Sequence, residues 1–177
     1  MQIEDTITFS FCTPQKVDKW DLRFMRMARE VSGWSKDPST RVGCYVVRDR
    51  LPLVHGYNGF PKQIEDTPKM LADREIKMKW MIHAEVNAIY NATELGISLK
   101  DSTFYVWGLP CCEACALALI RVGARRVIAM EQNLPQRWID SCMQGVDKLI
   151  QAKVQFSTID CESLKQSDLL ESLTKVQ

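Results

Sequence analysis

Between Ile82 and Thr158 the sequence alternates helical apolar periods with short β-rich runs, and this alternation limits the fold more than any other feature. Helices are expected over residues 82–95, 112–122 and 135–152, and strands over 102–107 (STFYVW), 126–130 (RVIAM) and 153–158. Strands separated by a whole helix cannot close a hairpin. They are joined by crossovers and run parallel, in a sheet that needs helices on both faces. Upstream, residues 41–48 (RVGCYVVR) read as a strand, 49–52 as a turn and 53–57 as its antiparallel partner. Val17, Trp20, Phe24, Met27, Ala28 and Val31 fall at helical spacing ahead of Gly33, and residues 163–176 suit a terminal helix. The expected architecture is α/β: a three-layer arrangement with a mixed sheet of about five strands flanked by helices. One domain is expected over residues 1–177, with its core at 17–158 and residues 1–15 as a lead-in.

Composition narrows the function classes. The net charge of +1, with both signs interspersed, offers no basic face for a nucleic-acid polymer, so small-molecule chemistry is favoured. No apolar run reaches membrane length, and residues 1–14 lack the pattern of a signal peptide. Seven cysteines, an odd count, fit reduced thiols in the cytoplasm better than a disulfide framework.

Two short stretches carry chemistry: His83-Ala84-Glu85 and Cys111-Cys112-Glu113-Ala114-Cys115, each opening a helix. Cys112 and Cys115 are three apart at a helix start, so both sulfurs can face one point where the helix dipole favours thiolate. A third ligand from His83 would leave one tetrahedral position open, as in a catalytic zinc site, and Glu85 is placed to project into the same cavity. Taken singly, Cys-x-x-Cys also fits a core or redox pair, and a lone histidine also fits a structural role. Cys111 competes with Cys112 as a ligand, whereas Cys44 and Cys142 read as core.

The conjunction of His83-Ala84-Glu85 with Cys112-x-x-Cys115 resembles the zinc-dependent cytidine deaminase superfamily. Within it, residues 37–43 (DPSTRVG), 56–61 (GYNGFP) and 83–89 (HAEVNAI) resemble the deoxycytidylate (dCMP) deaminases, over roughly residues 20–156. Those proteins usually have proline immediately before the first metal cysteine. Here Cys111 holds that place, and Cys115-Ala116 keeps register, which assigns Cys112 and Cys115 as ligands.

The resemblance implies a cytidine-deaminase-like fold and hydrolysis of dCMP to dUMP and ammonia. His83, Cys112 and Cys115 would bind Zn2+, and Glu85 would act as proton shuttle. It further implies that Asn58 binds the sugar, and that dCTP and dTTP with Mg2+ act as effectors on a homo-oligomer, up to a hexamer. A phosphate needs cations, and the loop before the first strand of the hairpin offers Arg41 and Lys36, with Ser35 or Ser39 as donors. The charged stretch 65–79 either closes over the site or coats the outside, and residues 132–138 are expected near the substrate mouth. Rival readings are dCTP deamination at the same site, deamination of free cytidine or of tRNA adenosine, and a non-enzymatic zinc module.

Overall fold

The computed structural model describes residues 6–9 and 17–174. The central sheet is built from β2 (Gly43–Arg48), β3 (Leu51–Tyr57), β4 (Thr103–Trp107), β5 (Arg126–Met130) and β7 (Gln155–Ile159), in the order β3-β2-β4-β5-β7. β2 is antiparallel to both β3 and β4, and β4, β5 and β7 are parallel. This is the expected mixed sheet with its opening hairpin. The crossovers are α5 (Glu113–Arg121) between β4 and β5, and α6 (Gln136–Gln151) between β5 and β7; α4 (Ala84–Glu94) joins β3 to β4.

The inner strands alternate between two cores. Cys44, Val46, Phe104, Val106, Val127 and Ala129 point to the face covered by α4, α5 and α6. Tyr45, Val47, Tyr105, Ile128 and Met130 point to the face covered by α1 (Lys19–Ser32) and α7 (Cys161–Thr174). Burial on both faces explains why these strands read as nearly unbroken apolar runs. At the start of α1, Asp18 accepts from the Trp20 and Asp21 amides while the Asp21 carboxylate accepts from the Asp18 amide, a reciprocal cap.

Several boundaries differ from expectation. The hairpin turn is only Asp49-Arg50, both with left-handed φ (51° and 65°), so β3 begins at Leu51. Pro52 is tolerated there because β3 is an edge strand with a register shift opposite Val46 and Val47. Residues 41–42 lie outside β2, since Val42 exchanges its backbone bonds with Asn58 instead. A second, two-stranded sheet was not expected: β1 (Thr6–Phe9) pairs antiparallel with β6 (Gln132–Pro135).

Residues 60–81 leave the sheet and return. They carry α2 (Pro68–Ala72) and α3 (Arg74–Trp80), capped by Thr67 and Asp73. The two ends are clamped by reciprocal backbone bonds between Gly59 and Ile82, of 3.1 and 2.9 Å. Among the described residues no helix is long and apolar enough to cross a membrane.

Candidate active site

The N-terminus of a helix is normally capped by a side-chain oxygen, as Asp18, Thr67 and Asp73 do here. α4 and α5, like α6 behind Pro135, lack that bond: His83 and Cys112 occupy their cap positions.

Two glycines set where these helix starts lie. A Cβ on Gly56 of β3 would come within 2.4 Å of the Ala88 nitrogen and 2.5 Å of the Ala84 oxygen, so α4 packs directly on the strand backbone. A Cβ on Gly145 of α6 would lie 2.6 Å from the Cys111 carbonyl oxygen and 3.0 Å from that of Cys112. Gly145 therefore sets the approach of α6 to the backbone that presents Cys112.

The result is convergence. His83 Nδ1 lies 3.3 Å from Cys115 Sγ and 3.4 Å from Cys112 Sγ, and the three ligand atoms fall within 4.8 Å of one another. Tetrahedral zinc, with bonds of about 2.3 Å to sulfur and about 2.0–2.1 Å to nitrogen, would separate such atoms by about 3.5 Å. The donor set and its spacing thus fit zinc. A hydrogen bond from Cys115, with help from His83, lowers the Cys112 pKa to about 4 against the effect of burial. Cys115, the donor in that bond and buried as well, is pushed up. His83 is raised, chiefly by its bond to Cys112. Cys111 is not one of the three: it is fully buried in the main core, and burial raises its thiol well above the ordinary value.

Glu85 is 2 % exposed and lines the same cavity as His83 and Cys112. Burial raises its pKa, opposed by the neighbouring His83. The cavity holds about 230 Å³. Leu109, Pro110 and Cys112 enter from the loop ahead of α5, Trp138 and Cys142 from α6, and Asn58 from the end of β3.

Asn58 is held on four sides. Its Oδ1 accepts from the Val42 amide at 2.8 Å and its Nδ2 donates to the Thr40 carbonyl at 2.9 Å. Its own amide donates to the Val42 carbonyl, and its carbonyl accepts from Ser35 Oγ at 2.8 Å. Ser35 is therefore a buried buttress behind Asn58 and does not line the cavity.

Nor are Lys36 and Arg41 brought to the cavity. Asp37 Oδ1 accepts from the Ser39 and Thr40 amides, a turn that directs Asp37, Ser39 and Thr40 inward. The flanking cations face outward: Lys36 pairs with Asp66 at 2.7 Å, and Arg41 donates from Nε to the Asp37 carbonyl.

The cations at the cavity come from elsewhere. Arg74, Lys77, Met78 and Met81 line it from residues 60–81, and Arg137 lines it from α6. The first four stand at i, i+3, i+4 and i+7, a single helical face legible in the sequence as a spacing. Of the charged stretch 65–79, Arg74, Lys77 and Met78 form part of the cavity wall. Trp138 lies at the cavity as expected for residues 132–138.

Residues 18–131 match the family described as the cytidine and deoxycytidylate deaminase zinc-binding region. The chain is 34% identical over 151 residues to an uncharacterized deaminase in the luxG 3′ region of Aliivibrio fischeri, covering 84% of this chain and 99% of that one. It is 40% identical over 116 residues to a protein of Caenorhabditis elegans named probable deoxycytidylate deaminase, covering 63% of this chain but only 57% of the nematode protein. Its fold is similar to the dCMP deaminase of cyanophage S-TIM5 solved with dCMP and dUMP, with a TM-score of 0.65 and 21% identity, covering 82% of this chain and 100% of that one.

Proposed function

The chain belongs to the cytidine and deoxycytidylate deaminase family, and from that membership we propose that it hydrolyses the 4-amino group of dCMP to give dUMP and ammonia. The observation that carries this reading is the convergence of His83, Cys112 and Cys115 beside the buried Glu85 in one cavity. Similarity to a probable deoxycytidylate deaminase supports the choice of dCMP among cytosine compounds.

His83 would hold zinc through Nδ1, and Cys112 and Cys115 through their sulfurs. When bound, zinc supplies a water of lowered pKa, near neutrality. Glu85 does the proton work. Burial makes its carboxylate a stronger base than a surface glutamate, suited to taking a proton from water and delivering it to ring N3 as the C4–O bond forms. It then takes the second water proton and gives it to the amine as the C4–N bond breaks, releasing ammonia and leaving the C4 carbonyl. Asn58 positions the sugar in this reading. Among the described residues its Oδ1 has one partner, the Val42 amide, which leaves a second lone pair for a sugar hydroxyl.

The same reading extends to dCTP and dTTP as effectors with Mg2+, a homo-oligomer such as a hexamer, a single deaminase domain and a reducing intracellular compartment. The family resemblance supports the first three, and the odd count of seven cysteines supports the last. The test of the central claim is a deamination assay on deoxycytidine, dCMP and dCTP with and without chelator. The expected result is chelator-sensitive turnover, fastest on dCMP. Equal rates with the metal stripped would overturn it.

A further inference from the structure

We propose that Asn58-Gly59 is a self-modification site held shut by residues 60–81, and that opening of this segment converts Asn58 to aspartate or isoaspartate. Asparagine is a thermolabile side chain, most of all ahead of glycine, whose missing side chain leaves the next backbone nitrogen unhindered. Of the four asparagines in the chain only Asn58 precedes glycine; Asn87 and Asn91 precede alanine, and Asn133 precedes leucine. The local fold does not demand that glycine: Gly59 lies outside the left-handed region, and a Cβ on it would come no closer than 3.7 Å to the Tyr57 ring. In the reaction the Gly59 nitrogen gives its proton to solvent base and attacks Asn58 Cγ. The N–Cγ bond forms as the Cγ–Nδ2 bond breaks, and ammonia leaves with a proton taken from water. Water then opens the cyclic imide at either carbonyl, giving aspartate or isoaspartate at position 58.

Both partners of that step are restrained. The Gly59 N–H donates to the Ile82 carbonyl at 3.1 Å, which withholds its proton from solvent base. The Asn58 side chain is buried and fixed by its bonds with Val42 and Thr40, and its Nδ2 also lies 3.7 Å from Met81 Sδ. Met81 and Ile82 stand where residues 60–81 rejoin the scaffold, and the segment is further tied down by Lys77 against Asp37. Local opening of the segment, short of global unfolding, therefore removes the cover. Either product changes the site. Aspartate keeps the bond from the Val42 amide but sets a carboxylate oxygen against the Thr40 carbonyl, acceptor against acceptor. Isoaspartate adds a methylene to the main chain beside the Gly59–Ile82 bonds. The loss of turnover that follows rests on the proposed sugar contact of Asn58.

The experiment incubates the zinc-loaded protein at mildly alkaline pH, natively and in guanidinium chloride, and follows each asparagine by peptide mass and isoaspartate by enzymatic methylation. In denaturant Asn58 is expected to convert while Asn87, Asn91 and Asn133 stay intact, and Gly59→Ala to slow that conversion. In the native protein the conversion is expected to be at least about tenfold slower, the protection given by a closed local state. Lys77→Met and Met81→Ala are each expected to raise the native rate about threefold, the scale on which one weak contact shifts a local opening equilibrium. Equal native and denatured rates, an Asn58 that stays intact in denaturant, or native rates unmoved in both loosened variants would overturn the proposal. A protein that shows this protection yet releases ammonia from no cytosine compound would instead sink the proposed reaction and leave the modification site standing.

Discussion

At the floor of the cavity His83, Glu85 and Cys112, with the buried Cys115 beside them, sit at the starts of two helices packed onto other backbone through Gly56 and Gly145. At the mouth, Arg74 and Lys77 are carried by a seven-residue helix that buries none of its own residues and is tied down by Lys77–Asp37. The floor is positioned by steric contact, which leaves little room for adjustment. The mouth is positioned by polar contacts of modest individual strength. The acid–base and ligand side chains have the first arrangement, and the cations of the cavity mouth have the second.

The largest effects should come from the floor. Cys115→Ala or His83→Ala removes one of three ligands, and loss of bound zinc with loss of all measurable deamination is expected, read by metal analysis and turnover. Glu85→Gln comes next: zinc is retained while turnover falls by about 10²–10⁴-fold, the usual worth of a positioned acid–base group. Full activity with metal bound would remove Glu85 from its role.

Gly145→Ala tests whether packing, and not only ligand identity, sets the metal centre. A methyl group there meets the Cys111 carbonyl, so a loss of about 1–3 kcal/mol is expected from overpacking, together with weaker zinc retention under chelator challenge. A variant as stable and as zinc-retentive as the parent would make the floor softer than described.

The smallest effect concerns pH at the mouth. Burial alone would raise Asp37, but bonds from the Ser39 amide, Lys77, the Ser39 hydroxyl and the Thr40 amide outweigh it and hold its pKa below 3.8. A carboxyl lowered by folding contributes fully above its unfolded pKa and loses that contribution only as pH falls through the folded value. The stability difference between parent and Lys77→Met should therefore be flat from about pH 5 to 8, read by denaturant unfolding. A step within that window would mean that another group governs the contact.

The contrast also explains what was legible in the sequence. His83, Glu85, Cys112 and Cys115 announce themselves by residue type and by their positions at helix starts, and the alternation after Ile82 was enough for the parallel half of the sheet. Choosing Cys112 over Cys111 required register, and burial of Cys111 in the core agrees with it. Lys36 and Arg41 were misleading for a conformational reason: the turn capped by Asp37 sends neighbouring side chains to opposite sides, which proximity in sequence does not reveal. Arg74 and Lys77 are marked in the sequence only by the spacing they share with Met78 and Met81, and Asp37, the partner of Lys77, lies far away in the chain. The pairing of β1 with β6 joins two four-residue strands across most of the chain, with too little local pattern to connect them.

The backbone clamp between Gly59 and Ile82 has a consequence for how such a chain can diversify. It makes residues 60–81 a cassette whose two ends meet on the scaffold, so what lies between can change without moving either end. Lengthening such a segment is inexpensive, since doubling it adds only about 0.6 kcal/mol of closure entropy. Replacing the cassette would change the side chains at the cavity mouth while leaving His83 and Glu85 where they are.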